Sequence, residues 1–426
     1  MAFVQSIRNS LRLPGLRNRL LFTGAMLLVL RMGAHIPVPG IDPTQVSKLF
    51  EGSGFLGLVD LFSGGAFRTM SIFAMGVVPY INSSIIVQLL TIVIPKWEEL
   101  QKEGEQGRKV LNQYMRYGTL LLAIIQAFGL SITLRNMDGA LLSRSWGAVG
   151  LIMLSMTAGS CFLMWLGEMI TERGIGNGIS LIIFVNIVAR LPNTVSGVIN
   201  LAKNNAITGG WLTVLLLAVL AVGIVAGTVF VIQGTRKIPV QYAKRVVGRR
   251  VYGGQQTYLP IKVNQAGVIP VIFAQSLLLF PVTIAQFFPN HGWAGVIQRW
   301  FDYQSWFYLT AYFVLNVFFT FFYTAITFNP TDVANNIKKQ GGFILGIRPG
   351  KPTADYLAKV SDRITFVGGL FLAGIAVLPM IVIAVTGVKD AYLGGTALLI
   401  VVGVAIETMQ QIEAHLVMRH YQGFLK

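Results

Sequence analysis

The sequence predicts an all-α integral membrane protein with about ten transmembrane helices, arranged as two inverted five-helix halves. Three observations predict this fold class. Hydrophobic residues make up 54% of the chain and charged residues only 12%, which is far more apolar than a soluble domain. Apolar runs of about twenty residues, the length that crosses a bilayer, recur along the chain. A short motif in the second of these runs returns in the seventh.

Ten apolar segments predict the helices in order. They run from Leu20 to Pro37, Ser71 to Ile94, Tyr114 to Leu134, Gly147 to Ile170, Ile179 to Leu191, Trp211 to Ile232, Gln265 to Phe288, Trp306 to Phe328, Ile364 to Thr386 and Gly394 to Ile412. The fifth segment is short for a full crossing, so we expect it to continue through Pro192 toward Ile199. The first segment meets Arg31 and no small-residue cleavage site, which favours a retained helix over a signal peptide.

Basic residues orient the predicted helices. An even number of spans places both termini on one side, and about 25 of the 34 Lys and Arg residues fall there, so the positive-inside rule makes this side cytosolic. Two basic loops on this side are long, from Thr235 to Lys262 and from Asn329 to Asp362. Their charge either orients the chain and touches anionic lipid, or binds a large acidic partner such as ribosomal RNA or a docking protein.

The recurring motif predicts two related halves, residues 1–200 and 201–426. Gly76 to Ile81 and Gly267 to Ile272 share a Gly-Val-x-Pro pattern, and the second copy follows the first by 191 residues. Because five helices separate equivalent positions, the second half enters the membrane in the opposite sense. Such a repeat places a functional site between the halves near the bilayer midplane. A chance match in so apolar a chain is the alternative.

The residue inventory argues against several function classes. Cys161 is the single cysteine and no His-Glu-x-x-His pattern occurs, so neither a disulfide nor a metal site is predicted. The cluster from Gly174 to Gly178 lacks a preceding strand and a following Gly-Lys-Ser/Thr, so we interpret it as a turn and expect no nucleotide or other cofactor. A secondary transporter would need an ion-binding group in mid-span, whereas Glu168 and Glu407 lie toward helix ends. A membrane enzyme and a structural scaffold remain weaker alternatives.

Several long segments carry a resemblance to a known family. They are Ser71 to Ile81 with Gln88 to Thr91, Gly167 to Ser180, Leu259 to Pro270, and Gly346 to Gly350. In these segments, and essentially end to end, the chain resembles the SecY family, the central subunit of the bacterial protein translocase. The resemblance implies a central pore for unfolded preproteins in the cytoplasmic membrane, no enzymatic activity, and partners that include SecE, usually SecG, the motor ATPase SecA, the ribosome and signal sequences.

The resemblance also implies a ring of aliphatic side chains in the pore. The corresponding residues are Ile81, Ile85, Ile183, Ile187, Ile272 and Ile400. Such a ring dewets when closed and yields around a passing chain without offering charges that would hold it. Two pairs in the set are spaced four residues apart and so share a helix face. Without the family, isoleucine in an apolar span is usually lipid-facing or packed.

Two further elements follow from the resemblance. A plug that seals the outer half of the pore corresponds to Asp60, Leu61, Phe62, Ser63, Gly64, Gly65, Ala66, Phe67 and Arg68. Its two glycines would loosen a helix there by about 1 kcal/mol each relative to alanine, and an ordinary outer loop is the alternative. A lateral gate between helices two and three and helices seven and eight corresponds to Thr91, Gln126 and Asn264, which we expect to exchange weak interhelical hydrogen bonds, although helix packing alone would also explain them.

Three arginines in the long basic loops correspond to family positions that contact SecA or the ribosome. They are Arg249, Arg250 and Arg348. Arginine suits phosphate and carboxylate groups because its planar fork donates two hydrogen bonds at once. Pro349 and Gly350 predict a turn that presents the Arg348 guanidinium.

Overall fold

The structure, a computed structural model, describes residues 14–42, 46, 60, 63–136, 139–204, 210–242, 245–247, 250–252, 256–286, 291–302, 305–386 and 396–423. The helices of the first half are α1 (Pro14–Gly33), α2 (Val78–Val93), α3 (Pro95–Lys102), α4 (Glu105–Arg135), α5 (Trp146–Arg173) and α6 (Gly178–Lys203). Those of the second half are α7 (Trp211–Gln233), α8 (Ile269–Gln286), α9 (Gly292–Trp300), α10 (Trp306–Thr327), α11 (Pro330–Lys339), α12 (Lys351–Thr386) and α13 (Thr396–Gly423).

The predicted helical membrane fold is confirmed, because the described structure is 78% helical and most of its long helices are apolar. Within the described residues, seven helices are long and apolar enough to cross a membrane, or eight if α2 and α3, which meet at 103°, form one broken span. The other predicted spans correspond to α1, which carries Arg17, Arg19 and Arg31, and to α8, a shorter apolar helix. The count of ten therefore fits the structure without being confirmed by it.

Two of the predicted helices begin later than the hydropathy indicates. The second and seventh were expected from Ser71 and Gln265, whereas α2 begins at Val78 and α8 at Ile269. The physical reason is the same in both cases. Gly76 and Gly267 adopt left-handed backbone, with φ of +58° and +64°. Each glycine lies in the turn that precedes the helix, and the second residue of each helix is proline. The two motif copies thus share a backbone conformation, while the inverted repeat stays a prediction.

The fifth predicted span continues past its proline as expected. Helix α6 runs from Gly178 to Lys203 with Pro192 inside it. Asn177 caps its first turn, since the Asn177 side chain accepts a hydrogen bond from the Ser180 amide at 3.2 Å. The cap fixes where α6 starts, and the helix is then long enough to cross a bilayer.

The two long basic loops contain a folded unit that the hydropathy did not predict. Strands β1 (Thr235–Tyr242), β4 (Gln256–Lys262) and β5 (Gly342–Ile344) form an antiparallel sheet in the order β4-β1-β5, and β2 (Arg245–Val247) pairs with β3 (Arg250–Tyr252). Ile238, Val240 and Ile344 from the sheet pack with Ile337 of α11 and Leu357 of α12 in a separate core. Both loops therefore fold together, on an extension of α12.

Contacts between the halves are concentrated at two helix pairs. Helix α2 packs against α8, and α6 packs against α13. The largest buried apolar cluster runs through all four of these helices. These four helices therefore contribute to the buried region between the halves.

Candidate functional site

The six isoleucines predicted to form a ring are all buried in the same part of the structure. All of them belong to the largest buried cluster, and their side chains are between 0 and 4% exposed. Helices α2 and α6 contribute two isoleucines each, at four-residue spacing, and α8 and α13 contribute one each. These are the same four helices through which the two halves meet. Their assignment as a pore ring stays a prediction, but none of the six faces outward.

A cavity of about 280 Å³ opens next to this cluster. Ile81, Ile183 and Ile272 line one part of it, and polar side chains, including Asn112, Arg116, Glu168, Glu172 and Asn177, line much of the remainder. Arg116 and Glu168 form a bidentate ion pair across the α4–α5 contact, with N–O distances of 2.9 and 3.0 Å. The cavity therefore borders three of the six isoleucines on one part and charged and amide side chains on another.

The predicted plug segment is held in place by its aspartate. Leu61 and Phe62 lie outside the described residues, but Asp60 and Ser63 to Arg68 are described. The Asp60 carboxylate accepts a hydrogen bond from the Arg68 amide at 2.8 Å and forms an ion pair with Arg190 of α6. Because the Asp60 side chain is only 2% exposed, this pairing compensates the charge where water cannot.

The two glycines of the predicted plug lie in a tight turn, where the backbone comes close to α6. Residues 64–70 form turns, so the helix that the glycines were expected to loosen is absent from this described stretch. Gly64 and Gly65 have φ of +67° and +94°, and a Cβ on Gly64 would lie 2.8 Å from Cβ of Asn186 on α6. Arg31 of α1 donates to the Gly64 carbonyl at 3.2 Å. Ala66 completes the contact, since it is fully buried in the cluster that contains the six isoleucines.

All three predicted gate residues are buried. The hydrogen bonds described for two of them differ from the interhelical bonds that we expected. The Thr91 hydroxyl donates to the Gln88 carbonyl of its own helix at 2.7 Å, and the Asn264 amide donates to the Gly267 carbonyl at 2.8 Å. Gln126 is buried on α4. The described bonds of Thr91 and Asn264 are therefore local rather than interhelical, and their role as gate residues stays a prediction.

A polar contact that the sequence analysis missed does cross the predicted gate. The side chains of Gln88 on α2 and Tyr323 on α10 both line the cavity and lie close enough to interact. Phe273 of α8 packs edge-on against Tyr323, with ring centroids 5.7 Å apart. Gln88 stood within a motif segment and could have been singled out, whereas Tyr323 gave no signal in a helix rich in aromatic residues.

The three docking arginines are only partly described. Arg249 lies outside the described residues, and Arg250 begins β3. Arg348 is exposed and follows β5. Its carbonyl accepts a hydrogen bond from the Thr353 hydroxyl at 2.8 Å, and Gly350 has φ of +105°. This turn fixes the backbone of Arg348 between the sheet and α12, as the Pro-Gly pair predicted.

Comparison with known proteins gives a consistent result. The SecY family model matches residues 71–409. A protein translocase subunit SecY from Streptomyces scabiei is 47% identical over 431 residues, covering 97% of this chain and 98% of that protein. The protein of the same name from Halalkalibacterium halodurans is 48% identical over 429 residues, covering 99% and 100%.

Solved structures show the same fold at lower identity. A protein-conducting channel has a TM-score of 0.62 at 18% identity, covering 93% of this chain and 92% of that chain. Sec61 in the canine ribosome–channel complex from the endoplasmic reticulum has a TM-score of 0.59 at 16% identity, covering the same shares.

Proposed function

The chain belongs to the SecY family, and on this basis we propose that it is a protein-conducting channel that moves unfolded preproteins across the cytoplasmic membrane and releases transmembrane segments sideways into lipid. It is a multi-pass membrane protein. Its termini face the cytosol, following the basic loops. The conduit itself needs no catalysis, and we propose that energy for transport comes from partners.

One observation carries the proposal: six isoleucines from four helices of both halves belong to one buried cluster, and three of them line a cavity that also has charged and amide side chains. Aliphatic side chains repel water and ions when they close on each other, and they have no charge with which to hold a passing polypeptide. With exposures of 0 to 4%, the arrangement is that of a closed constriction. Opening requires the paired helices α2 with α8 and α6 with α13 to separate.

The plug closes the outer side of this constriction. Ala66 packs into the same buried cluster as the isoleucines, and the Asp60–Arg190 ion pair ties the segment to α6. Asp60 and Gly64 hold the segment through a few polar contacts. A moving polypeptide can displace a segment held in this way more easily than a packed helix. A displaceable seal is what a channel needs if it is to block ions when idle.

The lateral gate lies where α2 and α4 face α8 and α10. Thr91 lies on α2 and Gln126 on α4, whereas Asn264 precedes α8. Gln88 and Tyr323 make a polar contact between α2 and α10. A buried interhelical hydrogen bond is worth about 0.6 to 2 kcal/mol. The apolar helix of a signal sequence can exceed that energy by burying its own surface in the opening.

Partners bind at the folded unit made by the two basic loops. Arg249, Arg250 and Arg348 are proposed to contact SecA or the ribosome, whose acidic groups suit the arginine fork. Canine Sec61, a structural neighbour, was solved in a ribosome–channel complex. SecE and SecG are proposed as accessory subunits, and anionic lipids contact the remaining basic residues.

Cross-linking to a stalled preprotein tests the proposed function. Cys161 is the single native cysteine, so Cys161→Ser gives a background in which Ile85→Cys and Ile272→Cys are unique labels. A preprotein with a cysteine in its mature region is halted in transit by a folded domain. We expect disulfides to form at both ring positions and to be missing at Leu154→Cys, whose side chain is 68% exposed on α5. Equal labelling at all three positions would refute the proposed path.

A further inference from the structure

The first turn of α8 is braced by a carboxylate from another helix. Gly267 and Val268 immediately precede α8, and Val268 is fully buried. The carboxylate of Glu407 on α13 lies against the backbone of this turn. A Cβ built on Gly267 would collide with the Glu407 carboxylate, and one built on Gly403 would collide with Val268. The carboxylate therefore packs directly on the turn, with no space between them.

A neighbouring lysine offsets part of the cost of burying the Glu407 charge. Lys262, the last residue of β4, interacts electrostatically with Glu407 and donates to the side chain of Gln410 at 2.9 Å. The start of a helix also favours a negative charge, because its free amides carry a partial positive charge. A partly buried carboxylate is costly without such partners, and Lys262 and the start of α8 reduce that cost here.

The same face of α13 also holds the first half of the chain. Gln411, one turn beyond Glu407, accepts a hydrogen bond from the Gly176 amide at 2.9 Å. Gly176 lies in the turn that begins α6. Residues separated by three, four or seven positions share a helix face, so Ile400, Glu407 and Gln411 follow one another along the side of α13 that meets α6 and α8.

We propose that Glu407 is a positioning residue for the channel: it fixes the start of α8 against α13 and thereby holds the α8 isoleucine in the closed constriction. This inference rests on the proposed function, since it gives α8 the role of a gate helix. Glu407 lies in the first half of its helix and acts through the turn at Gly267 and Val268. The adjoining Lys262 is the last residue of β4 in the loop sheet.

The test compares Glu407→Ala with Glu413→Ala, a control that removes an exposed carboxylate from the same helix. In the Cys161→Ser background, Ile86→Cys on α2 and Leu277→Cys on α8 carry spin labels, since both side chains face outward with exposures of 44% and 38%. We expect Glu407→Ala to lengthen or broaden the label distance and to raise the idle ion conductance roughly tenfold, as for a lost polar contact with a charged group. Glu413→Ala should change neither reading.

Two more variants keep the proposal falsifiable. Glu407→Gln retains an acceptor oxygen without the charge and should fall between wild type and Glu407→Ala, so it decides the matter if the alanine variant does not assemble. Gly267→Ala pushes a methyl group into the carboxylate, and its effect on the label distance should be less than additive with Glu407→Ala. Readings for the Glu407 variants that match those of Glu413→Ala would overturn the proposal.

The label distance and the idle ion conductance are both measured on the complex without preprotein, so neither depends on transport. A wild-type complex that moves no preprotein would defeat the proposed function and leave the label distances to decide the role of Glu407. Normal transport with unchanged distances would defeat the positioning role alone.

Discussion

At the scale of single residues, Gly64 shows how one methyl group can matter. Its left-handed backbone and its contact with Asn186 leave no room for a side chain. We predict that Gly64→Ala destabilises the packing of the predicted plug against α6 by about 1–2 kcal/mol. This is roughly a five- to thirtyfold change in the equilibrium between the packed and the displaced segment. Ion flux through idle reconstituted vesicles measures it. Gly150→Ala on α5, where an added Cβ meets no atom within 4 Å, is the control, and equal flux in both variants would contradict the prediction.

Arg348 offers a second test at this scale, because its exposed side chain stands on a fixed turn. We predict that Arg348→Glu lowers SecA-driven translocation and leaves membrane insertion of the chain itself intact, since the substitution reverses a charge without removing a buried contact. Arg348→Lys keeps the charge but loses the bidentate fork, so it should give an intermediate rate. Unchanged transport by the glutamate variant in reconstituted vesicles would refute the assigned role.

At the scale of elements, the polar contact between α2 and α10 provides a test of the proposed gate. We predict that Tyr323→Phe, which removes the hydroxyl next to Gln88, relaxes the requirement for an intact signal sequence by up to roughly tenfold, given about 0.6 to 2 kcal/mol per interhelical polar contact. Transport of a preprotein with a weakened signal sequence measures the change. Tyr308→Phe removes a buried hydroxyl from the same helix that has no hydrogen-bond partner among the described residues, and it should leave this transport unchanged.

The loop sheet gives an element-scale prediction of a different kind. Ile344 of β5 is buried between both long loops, so Ile344→Ala should cost about 2–5 kcal/mol of local stability. We predict that limited proteolysis then cuts both loops at once, because the strands of one loop complete the sheet of the other. Leu345→Ala, at a side chain that is 55% exposed, is the control. Cleavage confined to one loop would show that the two loops fold independently.

These loops also mark what the sequence could not reveal at this scale. Hydropathy located each apolar helix because a bilayer demands about twenty apolar residues in succession. It gave no sign that Val240 pairs with Ile344, since the two lie in separate loops and short basic strands have no strong period. The starts of α2 and α8 were also misplaced, because apolar residues continue through the turns at Gly76 and Gly267 and only the backbone conformation ends the helix there.

At the scale of the whole molecule, the resemblance to the family identified residues that the sequence pattern alone did not. Isoleucine in an apolar helix carries no signal of its own, yet the six family positions all lie in one buried cluster. Glu407 shows the opposite case. Near the end of the last span it looked peripheral, and its contact with Val268 became visible only when α13 and α8 were placed side by side. Pairings between distant helices depend on the packing of the whole chain, which the sequence pattern does not encode locally.

The central claim is that a translocating chain passes between the isoleucines of both halves. The most direct measurement is an electron cryomicroscopy map of the complex with a preprotein stalled in transit. Our account predicts extended polypeptide density in contact with Ile81, Ile187, Ile272 and Ile400 together, with the segment from Asp60 to Arg68 displaced from its seat. Density that bypasses these side chains, or a preprotein that crosses while all six isoleucines stay packed on each other, would contradict it.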